Sequence, residues 1–259
     1  MTTSGKNRFT FVAPMYNASQ YVGQMLASIV SQSYDNWKII LIDDLSDNDE
    51  RRKEADIIDA WSRLIPHDKI HVVWNAEKKW EVANVLHGIS MCDDDDIVCR
   101  IDADDWLTDN DALVYLNAVY EQTGAEALWT AHRWAYSDKN ISGPLPPDAD
   151  PYVHPWVSSH LKTFRKSLIN GVPYENFTNM NGELVKRAGD QAVYLPCLYR
   201  TRRRAFIPRV FYHYSIDEQG GKVYQTDDAR FQKAEADFLR SRGYISTGEP
   251  WEQRFHINA

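Results

Sequence analysis

Four times between residues 9 and 122 a short apolar run gives way to a segment of helical spacing, and this alternation constrains the fold more than any other feature of the sequence. Phe9–Ala13, closed by Pro14, precedes Ser19–Gln32, where Val22, Leu26, Ile29 and Val30 share one side and Ser19 is placed as an N-cap. Trp37–Ile42 precedes Asp49–Leu64, Ile70–Trp74 precedes Val82–Met91, and Ile97–Ile101 precedes Asn110–Gln122. Strand and helix repeated in this order predict an α/β fold, a mostly parallel Rossmann-like sheet with helices on both faces. In such sheets ligands bind beyond the carboxyl ends of the strands. Three of those ends carry polar clusters: Pro14–Asn17, Asp43-Asp44 and Asp102–Asp105.

Beyond residue 125 the pattern loosens. Ala127–Tyr136 predicts a strand, Gly143–Pro155 a proline-rich loop, and Val185–Leu198 a helix disturbed by Pro196. Ala205–Tyr214 predicts a strand and Asp227–Arg242 a terminal helix. The expected division is 1–125 and 126–259, two halves of the same domain. The acids Asp93–Asp96 read as a solvated turn.

Composition narrows the function classes. The chain has 259 residues and a net charge of −8, which disfavours a generic nucleic-acid binder. Residues 151–225 hold 11 Lys/Arg against 5 acids, a net +6 that leaves −14 for the rest. That asymmetry suits either a solvated face or an anionic acceptor. No long apolar run spans a membrane and Met1–Arg8 lacks an apolar signal core, so a cytoplasmic location is expected. Cys92, Cys99 and Cys197 are too scattered for a zinc site or a disulfide framework and read as core thiols.

Asp102-Ala103-Asp104-Asp105 follows an apolar strand directly. A hard divalent cation takes oxygen ligands, commonly one or two carboxylates plus substrate phosphates. An Asp-x-Asp at a strand end offers one carboxylate for a metal and another for a sugar or ribose hydroxyl. The surrounding text extends the pattern: Phe-Val-Ala-Pro-Met-Tyr-Asn from Phe11, Leu-Ala-Ser-Ile-Val-Ser-Gln from Leu26, Ile-Ile-Leu-Ile-Asp-Asp-Leu-Ser from Ile39, then Ala83-Asn84 and Gly189-Asp190-Gln191-Ala192. In this order the motifs resemble glycosyltransferase family 2, closely over residues 9–110 and more loosely over 160–217.

The resemblance implies a GT-A fold with a smaller C-terminal acceptor side. It implies an inverting hexosyl- or pentosyltransferase using a nucleotide-sugar donor, a UDP-sugar, with Mn²⁺ or Mg²⁺. By the same resemblance Pro14, Tyr16 and Asn17 shape the nucleotide pocket, with Asn84 and Ala103 beside it. Asp44, or alternatively Asp43, contacts the uracil or its ribose. Arg100 orients the acids, Asp102 holds donor hydroxyls and Asp104 binds the metal. Asp190, opening a helix after Gly189, is the expected general base, with Glu183 second and a simple helix cap as the structural alternative. Where relatives carry a Tyr-Arg-x-His stretch this chain reads Tyr212-His213-Tyr214-Ser215-Ile216-Asp217, which makes His213 and Asp217 candidate metal ligands. Asp105 is a candidate cap for the helix after it.

Trp134, Trp156 and Tyr152 are candidates to stack on an acceptor ring, although burial explains most tryptophans. Lys78, Lys79 and Lys222 are candidate diphosphate contacts, and Arg202, Arg203 and Arg204 a candidate surface for an anionic acceptor. Such an acceptor is a charged glycan or DNA bearing a hydroxylated base such as hydroxymethylcytosine, the latter flipped out of its stack. Two rival classes are a nucleotide-sugar-binding module without transfer activity and a phosphate-cleaving enzyme. The second lacks the glycine-rich phosphate loop it would need.

Overall fold

The structure, a computed structural model, describes residues 6–215 and 227–254. The four expected strand–helix pairs form: β1 (Phe9–Met15) and α1 (Val22–Val30), β2 (Trp37–Asp43) and α2 (Asn48–Ser62), β3 (Ile70–Trp74) and α3 (Trp80–Ser90), β4 (Ile97–Arg100) and α4 (Ala112–Thr123). A two-residue strand, β5 (Trp106–Leu107), lies between β4 and α4. β6 (Ala127–Trp134), β7 (Lys162–Arg165), α5 (Gly189–Arg200), β8 (Arg204–Tyr214), α6 (Asp227–Arg242) and α7 (Trp251–Arg254) complete the chain.

All eight strands form one sheet, in the order β3-β2-β1-β4-β7-β6-β8-β5. β1 pairs in parallel with β2 and β4, β2 with β3, and β6 with β8. The antiparallel pairs are β4–β7, β6–β7 and β5–β8. β7 and β5 were not expected: each is too short to show a period.

Alternation along the inner strands feeds two cores, one on each face. Phe9, Phe11 and Ala13 of β1 and Ile39 and Leu41 of β2 face α1 and α4, where Met25, Leu26, Ile29, Leu113 and Leu116 close the first core. Val12, Ile40 and Ile42 face the other way, onto Val82, Val85, Leu86 and Ile89 of α3 and Val193 and Leu198 of α5. Gly88 lets α3 settle on the sheet, since a Cβ there would stand 2.5 Å from Val12 Cγ1.

Four local expectations are corrected. α1 starts at Val22, not after Ser19; the Ser19 hydroxyl donates to Glu50 at 2.6 Å instead. α5 runs through Pro196 to Arg200, its apolar face buried on both sides of the proline. Asp96 is not solvated: it is 1% exposed and accepts from Arg8 Nε at 2.6 Å, the Thr10 hydroxyl at 2.7 Å and the Asp93 amide at 3.0 Å. Asp105 does not cap α4, where Asp111 stands at the N-cap position. The three cysteines are buried free thiols. Among the described residues no helix is long and apolar enough to cross a membrane.

Candidate active site

The sheet delivers its polar groups to one edge. β4 ends at Arg100, level with Val12 of β1 on one side and Lys162 of β7 on the other. Because β7 is antiparallel, its beginning lies beside the carboxyl end of β4, and His160 and Lys162 arrive next to Asp102. β8 ends at the same edge, with Tyr212 and Tyr214 opposite His132 and Trp134 of β6.

Arg100 is 3% exposed and holds two acids with one nitrogen: Nη2 lies 2.6 Å from Asp102 Oδ1 and 3.0 Å from Glu81 Oε1. The acids beyond the strand have separate jobs. Asp105 is fully buried, and its oxygens accept from the Tyr212 hydroxyl at 2.7 Å and from the Ser215 amide and hydroxyl at 2.8 and 3.0 Å. Burial and the charges of Asp104 and Asp102 push its carboxyl well above the usual range. Asp104 is exposed, while Ala103 is buried. Desolvation by the surrounding protein and then the charge of Asp102 push the Asp104 carboxyl up to about 6.

Asp190 opens α5 and faces this group. Its Oδ1 lies 2.7 Å from Lys162 Nζ and its Oδ2 3.4 Å from His160 Nε2. Lys162 Nζ also stands 3.0 Å from His160 Nδ1. An ammonium only donates, so Nδ1 is the acceptor and the imidazole proton sits on Nε2, toward Asp190. His160 stacks on Tyr212, the centroids 4.7 Å apart, and burial and then Lys162 hold its pKa well below the ordinary value. Burial works against an ionised Asp190, but Lys162, His160 and Arg100 outweigh it and hold the carboxyl well below the carboxylate range. Ala188, not Asp190, stands at the N-cap position of α5, and the Asp190 carboxylate pairs with Lys162.

The cluster includes a group that could hold a divalent cation. Ligand atoms of Asp102, Asp105 and His160 converge within 4.8 Å of one another. Asp105 is committed to Tyr212 and Ser215, however, and His160 to Lys162 and Asp190. Asp102, held by Arg100 through one oxygen, and the exposed Asp104 beside it are the other carboxylates here. Two crowded carboxylates, one with a raised pKa, are the situation a hard cation relieves.

At the end of β2, Asp43 and Asp44 are both buried. Asp43 is fully buried, accepting from the Ser46 amide at 3.0 Å and facing Arg51 Nε at 3.3 Å. Asp44 accepts from the amides of Lys79 at 2.6 Å and Trp80 at 3.1 Å, with Lys78 Nζ at 3.4 Å. Pro14 is half-buried and does not close β1, which runs through it to Met15 and pairs there with β2. Tyr16 is 49% exposed, and Lys78 Nζ lies 3.4 Å above its ring. Asn17, at φ 50°, locks the loop to Asp47 through both side-chain atoms. Asn84 is fully buried and accepts from the Asn75 side-chain amide at 2.8 Å.

The acceptor expectations fare differently. Arg202, Arg203 and Arg204 stand where β8 begins, about 25 Å of strand from Tyr212. Arg204 and Arg202 donate to carbonyls of the 146–149 loop, and Arg203 pairs with Glu126. The triplet pins a loop at the opposite edge of the sheet and does not flank Asp190. Trp134 is 6% exposed, its indole N–H on His132, so it is core; Trp156 is half-buried against the second core, and Tyr152 is buried. His213 alternates away from Tyr212 and stacks on Trp106 at 3.8 Å, outside the convergent ligand group. Asp217 and Lys222 lie outside the described residues. Glu183 is exposed in a turn whose amides bond Asn179.

Glu81, His160, Lys162 and Tyr212 belong to the site and were not singled out as site residues from the sequence. The one signal was the pattern His160-Leu161-Lys162, two ionisable residues on one face of a strand-like run.

Comparison with known proteins agrees with this architecture. The sequence is 31% identical over 75 residues to a putative teichuronic acid biosynthesis glycosyltransferase, TuaG of Bacillus subtilis, covering 29% of this chain and 27% of that protein. It is 33% identical over 102 residues to the amylovoran biosynthesis glycosyltransferase AmsB of Erwinia amylovora, covering 39% and 32%. The matched stretch thus spans about a third or less of these relatives' own lengths. Among solved structures, S. aureus TarS superposes with a TM-score of 0.64 at 14% identity, over 90% of this chain and 70% of that one. The Pyrobaculum calidifontis mannosyltransferase PcManGT, in complex with GDP-Man and Mn²⁺, gives 0.63 at 16%, over 97% and 68%. These likenesses show the shared GT-A fold. The sequence model of glycosyl transferase family 2 matches residues 10–177, more than half of the chain, and the chain belongs to that family.

Proposed function

We propose that this protein is an inverting glycosyltransferase that moves a sugar from a nucleoside-diphosphate sugar to an acceptor hydroxyl, with Asp190 as the base. The observation that carries the reading is the placement of Asp190 beside the donor acids, held by Lys162 at 2.7 Å and kept ionised. On this reading residues 1–125 supply the donor site and 126–259 the base and acceptor side.

The acceptor oxygen attacks the anomeric carbon while the bond from that carbon to the diphosphate oxygen breaks. The electron pair leaves with the diphosphate, and the acceptor proton passes to Asp190. A carboxylate held so low is a weak base toward an alcohol, so proton transfer accompanies bond formation, when the hydroxyl has become acidic. Arg100 fixes Asp102 against donor hydroxyls, and the Tyr212–Asp105 bond fixes the turn that presents Asp104. Asp102 and Asp104 would hold Mn²⁺ or Mg²⁺, which neutralises charge on the leaving diphosphate.

UDP is the favoured nucleotide: TarS has been solved with UDP and with UDP-GlcNAc. PcManGT was solved with GDP-Man, so the donor panel includes both. A glycan acceptor is favoured over modified DNA, because the arginine triplet that suggested a polyanion lies at the far edge of the sheet. The test is a panel of nucleotide sugars read by thermal shift with Mn²⁺, followed by nucleotide release with glycan and hydroxymethylated-DNA acceptors. Donor binding with no turnover for any acceptor, and none by water, would leave a binding module.

A further inference from the structure

We propose that Glu81 is a positioning residue that ties the donor-side acids to the helix carrying the base, setting the distance between bound sugar and Asp190. The inference rests on the transfer reading above and adds to it a residue that neither touches donor nor takes a proton. Glu81 belongs to the first turn of α3, where an acid ordinarily serves its own helix N-terminus. Here it reaches across to another helix. Its carboxylate takes Arg100 Nη2 at 3.0 Å and the Gly189 amide at 3.3 Å, and the same Arg100 nitrogen holds Asp102 at 2.6 Å. One carboxylate therefore links Asp102, through Arg100, to the residue that precedes Asp190.

The approach is so close that a methyl on Gly189 would displace the Glu81 carboxylate. A Cβ on Gly189 would stand 2.4 Å from Glu81 Oε1 and 2.5 Å from its Cδ. The turn before Gly189 is held from the other side as well. Glu235 of α6, 6% exposed, accepts from the amides of Lys186 at 2.9 Å and Arg187 at 2.7 Å. The Glu81 amide itself donates to the Lys186 carbonyl at 3.2 Å. Between the two glutamates Ala188 sits at φ 37°, a left-handed conformation that an alanine keeps only when its surroundings impose it. A simple spacer between helices would need neither the strained turn nor a carboxylate pressed onto a glycine. Both are accounted for if the start of α5 must keep a fixed place relative to Asp102.

The test compares wild type with Glu81→Gln, Glu81→Ala, Gly189→Ala and the double Glu81→Ala/Gly189→Ala. UDP with Mn²⁺ is the binding probe, by calorimetry, and UDP release from the donor is the turnover. Misplacing a base by about 1 Å costs up to ~100-fold in rate, so kcat should fall about 10- to 100-fold in Glu81→Ala while the Kd for UDP stays within about twofold. Gly189→Ala should fall similarly. The double variant should be no worse than the poorer single, because removing the Glu81 side chain makes room for the new methyl. Amide exchange over residues 186–192 reads the tie without turnover and should accelerate in Glu81→Ala. Folded Glu81 variants with wild-type kcat, an equal loss of UDP affinity and turnover, or unchanged exchange would each overturn the positioning role. Wild-type protein that turns over no donor, with exchange still accelerated in the variant, would overturn the transfer reading and leave the tie standing.

Discussion

Replacing Lys162 by methionine isolates the interaction on which the ionised base depends. Lys162 is 1% exposed and its ammonium stands 2.7 Å from Asp190 Oδ1, with the Asp190 side chain 24% exposed. At that distance the gross attraction is about 6 kcal/mol for an effective dielectric near 20. Desolvation of both groups takes back much of this, yet deleting one partner strands the other, which in buried pairs costs ~3–5 kcal/mol. The open side of Asp190 places Lys162→Met near the lower end, about 3 kcal/mol, and methionine nearly conserves the volume. With an m-value of about 3 kcal/mol/M that is a drop of about 1 M in the urea midpoint. A double-mutant cycle with Asp190→Asn separates the pair from packing, and its coupling energy should be about 2 kcal/mol. The pH dependence has a definite sign. Asp190 is depressed in the folded state, so its contribution is full above the unfolded carboxylate pKa of about 4 and is lost as pH falls further. The gap between wild type and Lys162→Met should be constant above about pH 4 and close below it. A coupling under about 0.5 kcal/mol, or a gap that widens in acid, would refute the electrostatic account.

Three further outcomes follow from the same geometry. Asp104→Asn should weaken Mn²⁺ binding measured by calorimetry; in wild type that affinity should decline as pH drops through about 6, because protons compete for a carboxyl already raised to that value. Tyr212→Phe should cost about 1–3 kcal/mol in chemical denaturation, since the buried Asp105 loses a donor. Charge reversal at Arg202 and Arg203 should leave the KM of any acceptor unchanged in steady-state assays, and a several-fold rise would show that the acceptor reaches the opposite edge of the sheet.

The sequence by itself determined the scaffold. Continuous apolar runs followed by helical spacing specify a parallel sheet buried on both faces, because such strands have no solvent side on which to alternate. Their ends are where Asp44, Arg100 and Asp102 were expected, Asp190 was expected to open a later helix, and the fold brings it beside Arg100 and Asp102. The tertiary structure alone decided what each polar group does. Asp102, Asp104 and Asp105 are near neighbours in sequence, yet one is tied to Arg100, one faces solvent and one is buried under Tyr212, because a turn points successive side chains in different directions. The antiparallel insertion of β7, four residues with no readable period, brings Lys162 and His160 to the base. Glu81 is indistinguishable from a first-turn acid until α3 and α5 pack. The three arginines that promised a surface for an anionic acceptor lie at the opposite end of β8, since charge counted along a chain does not report which end of a strand the residues occupy.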